Sequence, residues 1–262
     1  VGTENVSGEK QIKGDVMAND ILFEVLKNSG IVHSYVSEET EGLVETGYDG
    51  KFTVVSDPLD GSSLADVNFS VGTIIGIFEA GDPIGKTPRE MVAACYAVYG
   101  PRTTLVIAPG SGRGAHEFVL GMDSLFYLQR EHLKIKEKAQ YFAPGNLRAC
   151  GERKDYVKLL DYWAENKYTL RYSGGMVPDV NHILVKGSGV FAYPPYGEAP
   201  EGKLRHLFEA GPMSYVAVEA GGASTDGTQQ ILEKKITAHH QRTPIYIGSK
   251  EEVVRCAEFL GT

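Results

Sequence analysis

The chain has 262 residues, of which 42% are hydrophobic and 23% are charged, as expected for a globular protein of one large domain or two moderate ones. Its formal net charge is −8 and no basic run offsets it, which argues against nucleic acid as a partner. The longest strongly apolar stretch, Val71 to Phe78, is too short to cross a bilayer, so no membrane partner is expected.

The three cysteines, Cys95, Cys150 and Cys256, are odd in number, far apart and without a CxxC pair. They therefore indicate neither a disulfide framework nor a zinc site, and they fit a reducing compartment. No signal or transit peptide is visible. We expect a cytoplasmic protein, or a plastid protein if a transit peptide precedes Val1.

Helical and strand-like segments alternate along the chain, which indicates the α/β class. After a polar stretch over residues 1–14, a helix is predicted to begin at Asp15 or Asn19 and to end at Gly30. A second helix is predicted after Thr87, where T-P-R-E is a capping box with proline at the first helical position. Strands are predicted over 31–36, 51–55, 68–78, 103–108, 117–120, 168–172 and 190–193, and further helices over 156–163, from 177, over 212–220 and after 249.

The glycine-rich segment 109–114 (PGSGRG) has the composition of a nucleotide-binding loop. A strand rather than a helix is predicted to follow it, so we expect a hairpin between 103–108 and 117–120 instead. The polar, lysine-rich residues 121–140 are predicted to form a surface β excursion. A second half begins near Ala139, which divides the chain into an N-terminal half, 1–138, and a C-terminal half, 139–262.

The segment from Ser56 to Ser63 (SDPLDGSS) carries the strongest chemical signal. A β-branched strand stops in a turn that holds Asp57 and Asp60, with proline fixing the backbone between them. Ser62 and Ser63 add hydroxyl and N–H groups where an anion binds if a helix begins there. Two acids beside an anion cradle predict divalent metal ions next to a phosphate. An ordinary Asx-rich turn is the alternative, and the complete motif argues against it.

Other acids also lie in loops or at element ends. Glu38-Glu39 and Asp57-x-x-Asp60 each follow a β-rich run, so neighbouring strands of one sheet would bring them together. Clustered carboxylates repel one another, and cations remove that penalty. Oxygen ligands without cysteine or histidine select Mg²⁺, with Mn²⁺ as a substitute, over zinc. Taken alone, residues 38–41 are better explained as a solvated acidic loop. The full set of acids at such positions is Glu9, Asp15, Glu38, Glu39, Asp57, Asp60 and Glu209.

The C-terminal half supplies basic and aromatic residues that bind phosphate. Taken singly, each is more often a surface residue. Lys203-x-Arg205 is more informative, because Glu209 follows Arg205 by four residues and brings a metal-type ligand near a cation. The seven histidines form no ligand set, and His239-His240 is expected to be exposed. The phosphate-binding candidates are Asn146, Arg148, Arg171, Tyr172, Tyr193, Lys203 and Arg205.

Taken together, the motifs resemble the class I fructose-1,6-bisphosphatase family over nearly the whole chain, and most closely its sedoheptulose-1,7-bisphosphatase branch. The marks of the family are VSEE (36–39), DPLDGSS (57–63), VGTI (71–74), RYSGGMVPDV (171–180), GKLR (202–205) and AGG (220–222). The marks of the branch are YGPRTT (99–104), PGNLRA (144–149) and KYTLRYSGGMVPDVN (167–181).

The resemblance implies a layered α/β/α/β/α sandwich with mixed sheets, in which the N-terminal half supplies most metal ligands and the C-terminal half the sugar pocket. It implies a homodimer or homotetramer that acts on a small sugar bisphosphate. The implied metal ligands are Glu38, Asp57, Asp60, Glu209 and the carbonyl of Leu59, with Glu9 at a third metal position that the family fills with aspartate.

The resemblance also implies roles around the substrate. Glu39 and Asp15 correspond to the pair that orients and deprotonates the attacking water. Ser62, Ser63 and Arg205 correspond to the clamp on the reacting 1-phosphate, and Met176 to the residue whose backbone contacts the sugar. The implied contacts of the distal phosphate are Arg171, which reaches a neighbouring subunit, with Tyr172, Tyr193 and Lys203, and with Asn146 and Arg148 from the loop over 142–148.

The predicted function is the Mg²⁺-dependent hydrolysis of the 1-phosphate of sedoheptulose 1,7-bisphosphate. A fructose-1,6-bisphosphatase, or an enzyme acting on both sugars, is the alternative, because the two substrates differ by one CHOH group. A phosphosugar-binding regulator without activity is disfavoured, since no expected acidic position has become neutral.

Overall fold

The computed structural model describes residues 13–261, and of the preceding segment it describes the backbone of 3–4 and 10–11. In chain order the elements are β1 (Thr3–Glu4), β2 (Lys10–Gln11), α1 (Lys13–Asn28), β3 (Val32–Ser37), β4 (Val44–Glu45), β5 (Phe52–Asp60), α2 (Ser62–Ala65), β6 (Val71–Glu79), β7 (Ala93–Tyr99), β8 (Thr103–Ala108), β9 (His116–Leu120), β10 (Phe126–Arg130), β11 (Tyr141–Pro144), α3 (Lys154–Glu165), β12 (Thr169–Leu170), α4 (Met176–Lys186), β13 (Val190–Tyr193), β14 (Leu204–Arg205), α5 (Gly211–Glu219), β15 (Ala223–Thr225), β16 (Arg242–Thr243), β17 (Ile245–Gly248) and α6 (Lys250–Leu260).

Two mixed sheets form the frame of the molecule. The larger has eight strands in the order β10-β9-β8-β7-β6-β5-β3-β4, and the smaller has five in the order β12-β11-β13-β17-β15. In the larger sheet β3 and β5 run parallel, whereas the other neighbouring strands are antiparallel. In the smaller sheet β11 runs parallel to β12 and to β13. The predicted α/β class with mixed sheets is therefore confirmed.

The helices complete five layers. On one face of the larger sheet, α1 packs against β3 and β5, where Val54 lies among its apolar side chains. The neighbouring residue Val55 points to the opposite face, because successive side chains of a strand alternate, and joins the main core. That core contains α4 and α5, which contact both sheets. The helices α3 and α6 pack together over the outer face of the smaller sheet. The order of layers is thus the predicted α/β/α/β/α.

The predicted hairpin around the glycine-rich segment is confirmed, since β8 and β9 pair antiparallel with Thr104 opposite Val119. The strand expected over 168–172 is limited to Thr169–Leu170. Among the helices that the structure describes, none combines the length and apolar character that crossing a bilayer needs.

The helix predicted after Thr87 is wrong. The capping box itself forms, because the backbone N–H of Thr87 donates to Glu90 Oε2 at 2.7 Å, but only a three-residue 3₁₀ turn, Pro88–Glu90, follows it. The chain then continues as β7, where buried Ala94 and Tyr96 alternate with less buried neighbours. Because β7 pairs with β6 on one side and with β8 on the other, its backbone N–H and C=O groups form hydrogen bonds across the sheet instead of within a helix.

Candidate active site

The two acidic segments meet because β3 and β5 are parallel neighbours and therefore end at the same edge of the sheet. Ser37 lies opposite Ser56 at the ends of the paired segments. One residue later, the backbone N–H of Glu38 donates to the carbonyl of Ser56 at 3.0 Å. The turn that carries Glu38 and Glu39 consequently lies beside Asp57, as the sequence predicted.

A β-bulge within β5, rather than the turn predicted to end that strand, directs both aspartates of the central motif into one cavity. Asp57 is opposite Ile74 but Asp60 is opposite Gly72, so β5 has one residue more than β6 in this interval. Two hydrogen bonds hold the bulge. Thr73 Oγ1 donates to the carbonyl of Pro58 at 2.8 Å, and the backbone N–H of Leu59 donates to Asp57 Oδ1 at 2.9 Å. Both carboxylates are almost completely buried.

Glu209 approaches the aspartates from the other half of the chain. It lies in a π-helical turn, His206–Ala210, directly before α5, and such turns occur often at functional sites. The backbone N–H of Arg205 donates to Glu209 Oε2 at 2.5 Å and fixes the carboxylate. One carboxylate oxygen from each of Asp57, Asp60 and Glu209 lies within 4.8 Å of the others. We call these three residues the carboxylate triad.

The carboxylate triad has unfavourable electrostatics in the absence of a cation. Burial, followed by repulsion from Glu38, raises the pKa of Asp57 and of Glu209 well above their usual values. Burial also raises the pKa of Asp60 to about 6, although backbone N–H groups of α4 donate to it. Neighbouring anions that must ionise together need a positive charge between them.

These residues fit a divalent metal ion of the hard class. The donors of the carboxylate triad are all oxygens, and Glu38 and Leu59 line the same cavity. Mg²⁺ and Mn²⁺ prefer such oxygen ligands, whereas structural zinc sites use cysteine and histidine. Glu9, the predicted ligand of a third metal position, lies outside the described residues.

The cavity has a volume of about 520 Å³ and combines the acidic cluster with cations and hydroxyl groups. Arg205 is buried, and its guanidinium lies 3.2 Å from Glu38 Oε1 and donates to the carbonyl of Lys203 at 3.0 Å. Ser62 and Ser63 form the start of the short helix α2. The predicted site residues that line the cavity are Asp15, Glu38, Glu39, Asp57, Leu59, Asp60, Ser62, Ser63, Met176, Tyr193, Lys203, Arg205 and Glu209.

Four predicted contacts of the distal phosphate are not part of this cavity wall: Asn146, Arg148, Arg171 and Tyr172. The Asn146 side chain donates to the carbonyl of Pro194 at 2.9 Å. The positive charge of Arg148 acts on the pKa of Tyr193, which burial raises to about 12, so these two side chains are near one another. The guanidinium of Arg171 lies 5.9 Å from the ring centre of Tyr141, and Tyr172 is 43% exposed.

Two supporting residues were not identified from the sequence. His240, which was expected to be exposed, is half-buried, and its Nε2 lies 2.9 Å from the carbonyl of Thr40 in the turn after Glu39. Asp179 is buried and accepts the backbone N–H groups of Ser173 at 2.7 Å and Gly174 at 3.3 Å. The acid in the first turn of a predicted helix was the available signal for Asp179, because such acids often bind free N–H groups.

Comparison with known proteins agrees with this geometry. Residues 1–130 match the family model "Fructose-1-6-bisphosphatase, N-terminal domain", and residues 135–261 match "Fructose-1-6-bisphosphatase, C-terminal domain". The chain belongs to the fructose-1,6-bisphosphatase family. The predicted family resemblance is thereby confirmed, and the protein is a metal-dependent sugar-bisphosphate phosphatase.

Relatives of both substrate types are similar to this chain. A class 1 fructose-1,6-bisphosphatase of Pelobacter propionicus is 42% identical over an alignment of 265 positions, which covers 100% of this chain and 80% of that protein. A chloroplastic sedoheptulose-1,7-bisphosphatase of Triticum aestivum is 43% identical, covering 98% of this chain and 65% of that protein. The crystal structure of Leishmania major fructose-1,6-bisphosphatase in holo form superposes with a TM-score of 0.93 at 35% identity, covering 99% of this chain and 84% of that one. Family membership therefore leaves the choice of sugar to be tested.

Proposed function

We propose that this phosphatase hydrolyses the 1-phosphate of sedoheptulose 1,7-bisphosphate and releases sedoheptulose 7-phosphate and phosphate. The observation that carries the proposed chemistry is the carboxylate triad, whose members are buried together on the wall of a cavity that also contains Lys203 and Arg205. The carboxylates of the triad need metal cations, and Lys203 and Arg205 supply fixed positive charge beside them. This combination suits a phosphate ester that is bound next to metal ions.

The proposed metal is Mg²⁺, with Mn²⁺ as a substitute, because the donors are all oxygens. The proposed ligands are Glu38, the carboxylate triad and the carbonyl of Leu59, with Glu9 at a third position. When bound, divalent ions neutralise phosphate charge and make water more acidic. Phosphate-monoester hydrolysis is among the slowest uncatalysed reactions, with enzymatic accelerations of up to about 10²¹, so both contributions are needed.

The chain's own residues then position the reactants. Asp15 and Glu39 are proposed to hold the attacking water and to accept its proton, which requires them to lie at hydrogen-bond distance from it. The hydroxyl groups of Ser62 and Ser63 and the guanidinium of Arg205 are proposed to bind oxygens of the reacting phosphate. Arg205 suits this task because it is buried and rigidly held, so little conformational entropy is lost on binding.

The far end of the substrate is proposed to bind at the side of the cavity that Tyr193 and Lys203 form. Tyr193 offers a hydroxyl donor, and Lys203 a point charge. Met176 is proposed to contact the sugar through its backbone. Asn146, Arg148, Arg171 and Tyr172 are proposed to bind the distal phosphate from beyond the described cavity wall.

The seven-carbon sugar is favoured by the branch motifs over 99–104, 144–149 and 167–181 and by the similarity to the wheat sedoheptulose-1,7-bisphosphatase. Fructose 1,6-bisphosphate is the second candidate, because the relative from Pelobacter propionicus carries that name at nearly the same identity. An enzyme that accepts both sugars would satisfy both observations.

The deciding experiment measures kcat/KM of the purified protein for both bisphosphates in parallel with saturating Mg²⁺. We expect phosphate release from both sugars with a higher kcat/KM for the seven-carbon substrate. A higher kcat/KM for fructose 1,6-bisphosphate would overturn the proposed specificity but leave the reaction class intact. An Arg205→Lys variant, tested with both sugars, serves as the control for the reacting phosphate, because it should lower both activities by a similar factor.

Three further predictions concern the protein as a whole. We propose that it forms a homodimer or homotetramer in which the exposed Arg171 reaches a neighbouring subunit. We also propose that residues 1–138 and 139–262 act as the metal-binding and the sugar-binding halves. A cytoplasmic location stays a prediction. Light scattering of the purified protein tests the first of these proposals, and a monomer would contradict it.

A further inference from the structure

A chain of hydrogen bonds lies beneath the acidic turn after β3 and converges on one side chain. Asn19 lies one helical turn after Asp15 on α1, so the two residues share a face of the helix. Its carboxamide oxygen Oδ1 accepts two hydrogen bonds from β3, one from the Tyr35 hydroxyl at 3.1 Å and one from Ser37 Oγ at 2.7 Å. The helix that carries Asp15 is therefore bonded directly to the strand that leads to Glu39.

The hydrogen bonds continue on both sides of Asn19. Ser37 Oγ, while donating to Asn19, accepts the backbone N–H of Glu39 at 3.1 Å. The Tyr35 hydroxyl also lies 2.7 Å from Ser56 Oγ, which must be the donor because Tyr35 already donates to Asn19. Both branches thus point their hydrogens towards Asn19 Oδ1, which is the acceptor that Tyr35 and Ser37 share.

Burial makes a hydrogen-bond acceptor necessary for these hydroxyl groups. Tyr35, Ser37 and Ser56 have no exposed surface, and a buried hydroxyl without an acceptor loses the hydrogen bond that water would have given it. The shared acceptor therefore sets how closely α1 lies on β3. Because Asp15 and Glu39 both line the cavity, the same contact sets their relative position.

We infer that Asn19 is a positioning residue, which acts through Ser37 to hold Glu39 and Asp15 in the arrangement needed to bind the attacking water. The inference rests on the proposed function, because that function assigns the binding of the attacking water to Asp15 and Glu39. A carboxylate displaced by about 1 Å can cost a reaction about 100-fold. Lys203 and Arg205, which are proposed to bind the substrate phosphates, lie on a different segment of the chain, so substrate binding should change less than the chemical step.

The test is a kinetic double-mutant cycle on the full chain with saturating Mg²⁺. Asn19→Leu removes the acceptor at similar size, Ser37→Ala removes the hydroxyl that connects it to Glu39, and Asn19→Asp keeps an oxygen acceptor. Asp20→Asn changes the exposed neighbour on α1 and serves as the control. Phosphate release is measured as kcat and KM separately, and circular dichroism verifies folding.

We expect Asn19→Leu and Ser37→Ala each to lower kcat by about 10- to 100-fold with KM changed by less than about threefold. The kcat of the double variant should lie within about threefold of the kcat of the less active single variant. Both changes break the same connection, from Asn19 through Ser37 to Glu39. Asn19→Asp should recover most of the lost kcat, and Asp20→Asn should behave as wild type.

Other outcomes separate the possible failures. A wild-type kcat in Asn19→Leu and Ser37→Ala, or effects that multiply in the double variant, would overturn the inference while the proposed function stands. If Asn19→Leu does not fold, Ser37→Ala decides alone, because loss of one hydroxyl from a packed strand leaves the core volume nearly unchanged. Absence of phosphate release by the wild-type protein would instead remove the proposed function, and the inference with it.

Discussion

The backbone N–H of Val177 donates to Asp60 Oδ2 at 2.7 Å, which bonds the N-terminus of α4 to the last residue of β5. The positive end of the helix dipole favours the ionised carboxylate. Burial nevertheless raises the pKa of Asp60 to about 6. The hydrogen bond therefore fixes the orientation of Asp60 and leaves most of its charge to be balanced by a cation.

Replacement of Asp60 by asparagine tests the proposed metal site. The carboxamide oxygen of the new side chain can still accept the Val177 N–H, so the fold should persist while one anionic ligand is lost. We expect phosphate release at saturating Mg²⁺ to fall by about 10²- to 10³-fold, the range for loss of one fixed group that supports charge stabilisation in the transition state. Asp66→Asn, the same change at an exposed residue nearby, should retain full activity. Near-wild-type activity in Asp60→Asn would refute the site as proposed.

The stability of the metal-free protein should depend on pH through the carboxylate triad. The pKa of Asp60 is raised to about 6 in the folded state, against about 3.9 in an unfolded chain. The folded state therefore binds the proton more tightly, so this contribution is complete below about pH 4 and is lost as the pH rises through about 6. The raised pKa values of Asp57 and Glu209 act in the same direction.

Bound Mg²⁺ should reverse this loss, because it binds the ionised carboxylates of the folded state only. We expect the increase in Tm on adding Mg²⁺ to be larger at pH 8 than at pH 5. Thermal melting in EDTA and in excess Mg²⁺ across this range measures the difference. An Mg²⁺-induced increase that stays constant or shrinks towards pH 8 would contradict the prediction.

Asp179 should influence substrate binding more than the chemical step. Its carboxylate accepts two backbone N–H groups of the turn over 173–175, which joins the segment of Arg171 and Tyr172 to Met176 at the cavity. In Asp179→Asn one of those N–H groups faces an amide donor, at a cost of about 1.5 to 3 kcal/mol for a charged hydrogen bond. We expect KM to rise about tenfold while kcat changes by less than about threefold.

Steady-state kinetics on Asp179→Asn checks whether the change acts on KM rather than on kcat. Asp161→Asn, on the exposed face of α3, is the control. A fall in kcat at unchanged KM would contradict it, because that pattern indicates loss of an interaction made only in the transition state.

Gly72 should not tolerate a side chain. A Cβ atom there would lie 2.4 Å from Val177 Cγ1 and 2.5 Å from the carbonyl oxygen of Ala97. We expect Gly72→Ala to reduce the free energy of unfolding by about 1 to 3 kcal/mol through overpacking. Gly151→Ala is the matched control, since a Cβ at that position meets nothing within 4 Å. Urea denaturation of both variants measures the two changes, and equal stabilities would contradict the prediction.

The sequence was sufficient to predict that Glu38 and Asp57 meet. Each follows a strand-like run, and residues that follow neighbouring parallel strands lie at one edge of a sheet. The same reasoning could not predict the approach of Glu209, because nothing in local spacing indicates that a distant π-helical turn faces that edge. For Glu209 the family resemblance supplied the information that physical reasoning from the sequence could not.

The failures of prediction also have a common cause. The capping box at Thr87 is a local signal and was identified correctly, but the conformation of the next residues depends on pairing with β6 and β8, which the local sequence does not encode. His240 was expected to be exposed because a pair of histidines in a loop is usually solvated, yet it lies against Thr40 and the ring of Phe208. In both cases distant parts of the chain override a local preference.

The wide separation of Asp15, Asp57 and Glu209 along the chain has a kinetic consequence. Each contact between distant segments must close a long loop, and the entropy of that closure delays it relative to local structure. During refolding from denaturant, helical circular dichroism should return first, and turnover should return only when all three segments have docked. Recovered activity is thus a stricter measure of the native state than recovered secondary structure.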